Sequence, residues 1–185
     1  MVNQPKPAVA IFGGSFDPPH KGHQAIVRLA IEALEIERLI VLPAYLNPFK
    51  TSSLALAAQR LEWCHQLFDA IPDVLVSDYE INQGKSVRTS QSVKHFNTMF
   101  DVKYLIIGSD NLSTLTKWHA FEWLNQTLCW VVFTREGYPV QTDSLREYKV
   151  LSLNEAANST DIREKKHFEH VDTKIEKSVK QTVKG

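Results

Sequence analysis

The sequence predicts an α/β fold, a doubly wound parallel sheet flanked by helices, gathered into a single domain over residues 1–185. Three observations lead there. Apolar, β-rich runs alternate with helix-period segments along the chain. Two of those runs, Leu39-Ile40-Val41-Leu42 and Leu105-Ile106-Ile107, are continuously apolar, as strands buried on both faces must be. The first run is followed by Gly13-Gly14 and then by a helical pattern, the strand–turn–helix order that suits phosphate binding.

Taken in order, strands are predicted at 8–12, 38–43, 74–78, 103–107, 129–134 and 148–151. Helices are predicted at 22–36, 53–70, 89–100, 121–126, 160–166 and 172–182. The last helix is Lys/Glu-rich and is expected to be peripheral, with a frayed end. Right-handed crossovers place the loops after several strands along one edge of the sheet. The Gly-Gly turn, the loop after Pro43, the segment after Ile107 and the loop after Thr134 should therefore converge. No internal repeat, low-complexity tract or linker interrupts the pattern.

Composition narrows the classes further. Apolar residues make up 43% and charged residues 23%, as in soluble globular proteins. A formal net charge of zero gives no broad attraction to nucleic acid or to an anionic membrane. No apolar run approaches the roughly 20 residues that span a bilayer. Residues 1–7 are polar and lack the apolar core of a signal peptide. Cys64 and Cys129 each adjoin a tryptophan, so buried thiols are expected rather than a disulfide or a metal site. A cytoplasmic enzyme fits, as monomer or homo-oligomer.

The richest stretch is Gly13-Gly14-Ser15-Phe16-Asp17-Pro18-Pro19-His20-Lys21-Gly22-His23. Glycines 13 and 14 can adopt backbone angles denied to other residues and leave room for a ligand. His20 and His23 fall where free helix amides and the positive end of the helix dipole favour anions. The expected ligand is a nucleoside triphosphate. Other readings are a helix cap, or a metal site completed by Asp17. A second element, Asn158-Ser159-Thr160-Asp161-Ile162-Arg163, offers Ser159 or Thr160 as N-cap and Arg163 one turn later. Hydroxyls, amides and a guanidinium together suit pyrophosphate oxygens.

The first run is neither a Walker A loop nor G-x-G-x-x-G. It resembles the His-x-Gly-His signature of the nucleotidyltransferase superfamily, a Rossmann-like fold whose histidines contact triphosphate oxygens. The second element is similar to that superfamily's Ile-Ser-Ser-Thr-x-Ile-Arg motif, with Ala157 and Asn158 departing from it. Further segments resemble bacterial nicotinate-nucleotide adenylyltransferases. Asn47-Pro48-Phe49-Lys50 is similar to their loop after the second strand, with Phe49 where histidine is common. Ile107-Gly108-Ser109-Asp110 with Trp118-His119 resembles their Gly-x-Asp segment and following Trp. Phe133-Thr134-Arg135-Glu136-Gly137-Tyr138 resembles their Arg-Pro-Gly-Tyr, with Glu136 for Pro, and Thr89 falls where they have Ser-Tyr-Thr, with Arg88 in place of the Tyr.

What this implies is a set of expectations. Gly13, Gly14, Ser15, Phe16, His20, His23, Gly108, Asp110, Arg135, Ser159, Thr160 and Arg163 bind ATP, with His20, His23 and Arg163 catalytic. Lys50, Thr89 and Trp118 bind nicotinate mononucleotide. Asp110 either accepts from ribose hydroxyls or caps a helix. Trp118 stacks on the pyridine ring or joins the core, while Trp63, Trp123 and Trp130 are core. Arg88 holds a carboxylate or is solvated, and Arg135 lines the adenine side or a surface loop. The cluster at His167, Phe168, Glu169 and His170 faces solvent. The implied reaction joins ATP and nicotinate mononucleotide into nicotinate adenine dinucleotide and pyrophosphate. The attacking phosphate monoester already carries about −1.5 to −2 charge at pH 7, so no general base is required. Mg²⁺ accompanies ATP, held by phosphates and waters. Nicotinamide mononucleotide or phosphopantetheine as acceptor, and a non-catalytic ATP-binding module, are the alternatives.

Overall fold

A computed structural model describes residues 5–48, 50–153 and 159–184. Six strands, β1 (Ala8–Gly14), β2 (Arg38–Pro43), β3 (Val74–Val76), β4 (Asp101–Gly108), β5 (Cys129–Phe133) and β6 (Tyr148–Leu151), form one sheet. All its pairings are parallel, in the order β3-β2-β1-β4-β5-β6. The chain winds outward from β1 in one direction and then restarts beside it with β4. The ends of β1 and β4 therefore diverge into a crevice, the place where open parallel sheets take ligands.

Alternation along each central strand builds a core on each face. Ala10, Phe12, Leu39, Val41, Ile106, Val131 and Phe133 point to one side. Val9, Ile11, Ile40, Leu42, Leu105, Ile107, Trp130 and Val132 point to the other. This two-sided burial is the physical reason that the central runs read as unbroken hydrophobic stretches. The first face is covered by α1 (Lys21–Ala33), α2 (Ala57–Phe68), α6 (Ser159–Lys165) and α7 (Thr173–Lys184). The second carries α4 (Thr89–Phe96) and α5 (Phe121–Thr127). Helix α7 does more than the peripheral role expected of it: Ile175 and Val179 are buried, and Trp63 Nε1 donates to its Ser178 hydroxyl at 3.0 Å. Cys64 and Cys129 are buried and free, while Trp123 is only half-buried, with the Lys94 ammonium 5.0 Å over its ring.

Some boundaries differ from expectation for identifiable reasons. Helix α2 starts at Ala57, not 53, because the N–H groups of Leu54 and Ala55 are taken by the Asp17 carboxylate. β3 stops at Val76, and the Ser77 hydroxyl accepts the Tyr79 N–H at 3.2 Å, starting a short helix α3 (Tyr79–Asn82). After β4 the polar run folds as a 3₁₀ helix, Ser109–Lys117.

Candidate active site

The site begins with the turn from β1 into α1. Gly13 and Gly14 are the last residues of β1, paired with Leu42 and Pro43. Here the expected special glycine angles do not occur: the left-handed residue of the loop is Phe16, at φ 47°. Gly14 matters for space, since a β-carbon would come 3.2 Å from the Phe16 ring. That ring is buried edge-on against Phe12, with centroids 5.4 Å apart, and lies 4.9 Å from the His23 ring. Ser15 holds the loop through its carbonyl, which accepts from Arg60 Nη1 at 2.6 Å.

His20 is the residue before α1 and His23 lies in its first turn, with rings 3.8 Å apart. The His20 N–H donates to His23 Nδ1 at 3.1 Å. That bond leaves the proton of a neutral His23 on Nε2. Burial first, then the neighbouring His20 and Arg135, hold the His23 pKa well below the usual imidazole range. Burial, Arg135 and His170 lower the His20 pKa to about 3. Both rings are thus neutral at physiological pH. Both ring nitrogens of His20 are buried without a hydrogen-bond partner among the described residues.

Cations gather around this pair. Lys50 borders the same cleft, its pKa lowered by burial and then by Arg163, with Asp17 opposing. Arg163 of α6 reaches across to the carbonyl of Asp17 at 2.6 Å, and its other arm donates to the Thr160 hydroxyl at 3.2 Å. The Ser159 hydroxyl donates to the carbonyl of Pro18 at 2.9 Å. Ser159 and Thr160 lie within α6 rather than ahead of it. Asn158 and Phe49 lie outside the described residues.

The two oxygens of Asp17 accept the N–H groups of Leu54 and Ala55 at 2.8 and 3.0 Å. At the end of β4, Asp110 pairs with Arg135 at 3.4 Å and caps no helix. A β-carbon on Gly108 would overlap the Asp110 carboxylate and approach Arg135 Nε to 2.9 Å, so a side chain there would force that pair to shift. Ser109 fixes the Arg135 loop, accepting the Arg135 N–H at 2.9 Å and donating to the Tyr138 carbonyl at 3.3 Å.

Thr89 opens α4, and half-buried Trp118 follows the 3₁₀ helix with its ring edge-on to Trp130 at 6.4 Å. Exposed Arg88 precedes Thr89. All the expected site residues border one cleft of about 1300 Å³. That exceeds the ~300–1,000 Å³ usual for a single small ligand, leaving room for two. His167, Glu169 and His170 stand on a surface turn outside the cleft lining, their ligand atoms within 4.8 Å of one another.

Sequence reading missed several contributors. Arg60 is 1% exposed and donates to the carbonyls of Ser15, Ala44, Tyr45 and Ala55, tying together the loops after β1 and β2. Glu80, Ser90 and Ser92 are buried around α4. None carries a motif; an arginine in an amphipathic helix reads as surface until its carbonyl partners are known.

The relatives decide the family. A Sulfurovum protein described as a probable nicotinate-nucleotide adenylyltransferase is 66% identical, covering all of this chain and 98% of its own length. This chain belongs to the nicotinate-nucleotide adenylyltransferase family. A Nitratiruptor member is 45% identical over 84% of this chain and 86% of its own. The broader cytidylyltransferase-like family matches residues 11–165, which takes in the site from β1 to α6. The nicotinic acid mononucleotide adenylyltransferase of Plasmodium falciparum, solved with NaAD, shares the fold, with a TM-score of 0.72 at 16% identity. That similarity covers 96% of this chain and 93% of the other.

Proposed function

We propose that this enzyme transfers the adenylyl group of ATP to nicotinate mononucleotide within the crevice between β1 and β4, releasing pyrophosphate. The observation that carries this reading is His20: a neutral imidazole, buried, with neither nitrogen partnered among the described residues, at the edge of a cationic cleft. Such a group is costly unless a ligand completes it. A polyphosphate does so, and it also relieves the mutual repulsion of Lys50, Arg163 and Arg135.

In this arrangement His20 and His23 Nε2 donate to oxygens around the α- and β-phosphates. Thr160 and Arg163 take the β- and γ-phosphates, with Ser159 and the Gly13–Phe16 turn shaping the same cradle. Asp110 accepts from ribose hydroxyls, its carboxylate oriented by Arg135. Trp118 offers a flat face to the pyridine ring, with Thr89 and Lys50 completing the acceptor end. An oxygen of the acceptor's 5′-phosphate attacks the α-phosphorus in line. The bond from that phosphorus to the bridging oxygen breaks, and pyrophosphate departs with the electron pair. No proton needs to be removed, so catalysis is positioning and charge stabilisation.

The donor set fits Mg²⁺ arriving on ATP: among the described residues no group of three or more potential metal ligands lines the cleft, leaving the ion to phosphates and waters. When bound, it neutralises charge on the triphosphate. A cytoplasmic location suits an enzyme that draws on ATP and a pyridine mononucleotide.

The test is pyrophosphate release from ATP and Mg²⁺ with nicotinate mononucleotide, nicotinamide mononucleotide and phosphopantetheine offered separately, products identified by mass. Preference for nicotinate mononucleotide is expected. ATP binding with no release for any acceptor would replace this reading with an ATP-binding module.

A further inference from the structure

Glu80 is a carboxylic acid only 7% exposed, yet it borders the cleft. The transfer described above has no use for a general acid there. Its Oε1 accepts the Ser92 hydroxyl at 2.6 Å. Burial, opposed by that bond, raises its pKa to about 7. Burying a carboxyl is unfavourable, so what it holds in return is informative.

Its partner sits on α4, an eight-residue helix too short to be stable alone. Ser92 lies three residues after Thr89, hence on the same side of that helix, and both border the cleft. The neighbouring Tyr79 reinforces the grip: its ring stacks on His95 with centroids 3.8 Å apart and planes 8° from parallel. From the opposite direction, Ser90 Oγ meets His119 Nδ1 at 3.0 Å, beside Trp118. The rotation of α4 about its axis is therefore fixed by polar contacts on two sides.

We infer that Glu80 is a positioning residue for the acceptor: through Ser92 it sets the orientation of α4 and so aims the Thr89 hydroxyl into the cleft. This role rests on the function proposed above and deepens it. Glu80 touches no reacting atom. A glutamine retains an oxygen that can accept from Ser92; an alanine does not.

The experiment measures kcat and the two KM values, with melting temperature, for wild type, Glu80→Ala, Glu80→Gln, Ser92→Ala and the double alanine variant. Glu80→Ala and Ser92→Ala are each expected to raise KM for nicotinate mononucleotide about tenfold, the scale of one buried hydrogen bond, with KM for ATP unchanged. The double variant should be no worse than either single, and Glu80→Gln should stay near wild type. Should Glu80→Ala fail to fold, Ser92→Ala and Glu80→Gln still decide the matter. An unaltered acceptor KM in Ser92→Ala, or equal rises for both substrates, overturns the positioning role. A wild type that turns over no nicotinate mononucleotide overturns the functional reading itself, and the role with it.

Discussion

In the proposed reaction His23 owes its usefulness to the amide of His20. By occupying Nδ1, that N–H fixes the tautomer and turns Nε2 into a permanent donor. Replacing His23 with alanine is expected to lower kcat roughly 10²–10³-fold, the scale for one preorganised oxyanion donor. Steady-state kinetics on the folded variant checks this, and near-normal turnover removes His23 from the chemistry. Trp118→Ala should raise KM for nicotinate mononucleotide well above any change in KM for ATP. Equal effects would make Trp118 a structural residue, consistent with its edge contact to Trp130. At this scale much of the site was legible, because His20, His23, Thr160 and Arg163 sit in short contiguous motifs. Of the two properties expected of Gly13 and Gly14, the unusual backbone falls on Phe16 instead, while both glycines end a strand and border the cleft. Glu80 was illegible because its burial depends on a helix that follows it in sequence.

Between the elements, Arg60 is the tie. One guanidinium serves carbonyls after β1, after β2 and ahead of α2. Arg60→Met should cost about 3 kcal/mol or more, since several buried carbonyls lose their donor. Arg60→Lys should not restore it, because a single ammonium cannot span that fork. Urea unfolding of both variants reads the outcome; a loss under about 1 kcal/mol would mean that water replaces the guanidinium. Strands were readable from unbroken apolar runs, and helices from their period. Two of the boundaries that moved did so where a side chain captured backbone N–H groups: Asp17 delays α2, and Ser77 helps to start α3. The Asp17 capture links positions 37 and 38 residues apart and leaves no local pattern, whereas that of Ser77 spans only two residues.

For the molecule as a whole, His20 and Glu80 set opposing dependences of stability on pH. His20 remains neutral when folded down to about pH 3, whereas an unfolded histidine takes up its proton near 6.5. Stability therefore falls as pH drops below 6.5, by ~2 kcal/mol at pH 5 from this residue alone. Glu80 resists ionising until about pH 7 when folded, against 4.5 for its ordinary value, so its penalty grows as pH rises across that window. Glu80→Gln should consequently gain stability relative to wild type between pH 4.5 and 8, by up to ~3 kcal/mol. Denaturant melts at both pH values test it, and a constant difference would contradict the burial of that carboxyl. The bonds from Arg163 and Ser159 to the carbonyls of Asp17 and Pro18 bear on how the protein is made. They join positions 146 and 141 residues apart. A chain growing from the ribosome builds β1, its histidines and most of the sheet well before α6 emerges. During that interval it has one half of the proposed phosphate cradle and no partner for the other. On that assignment the capacity to grip ATP is among the last properties that synthesis confers, and a prematurely ended chain lacking α6 would occupy little of the cell's ATP.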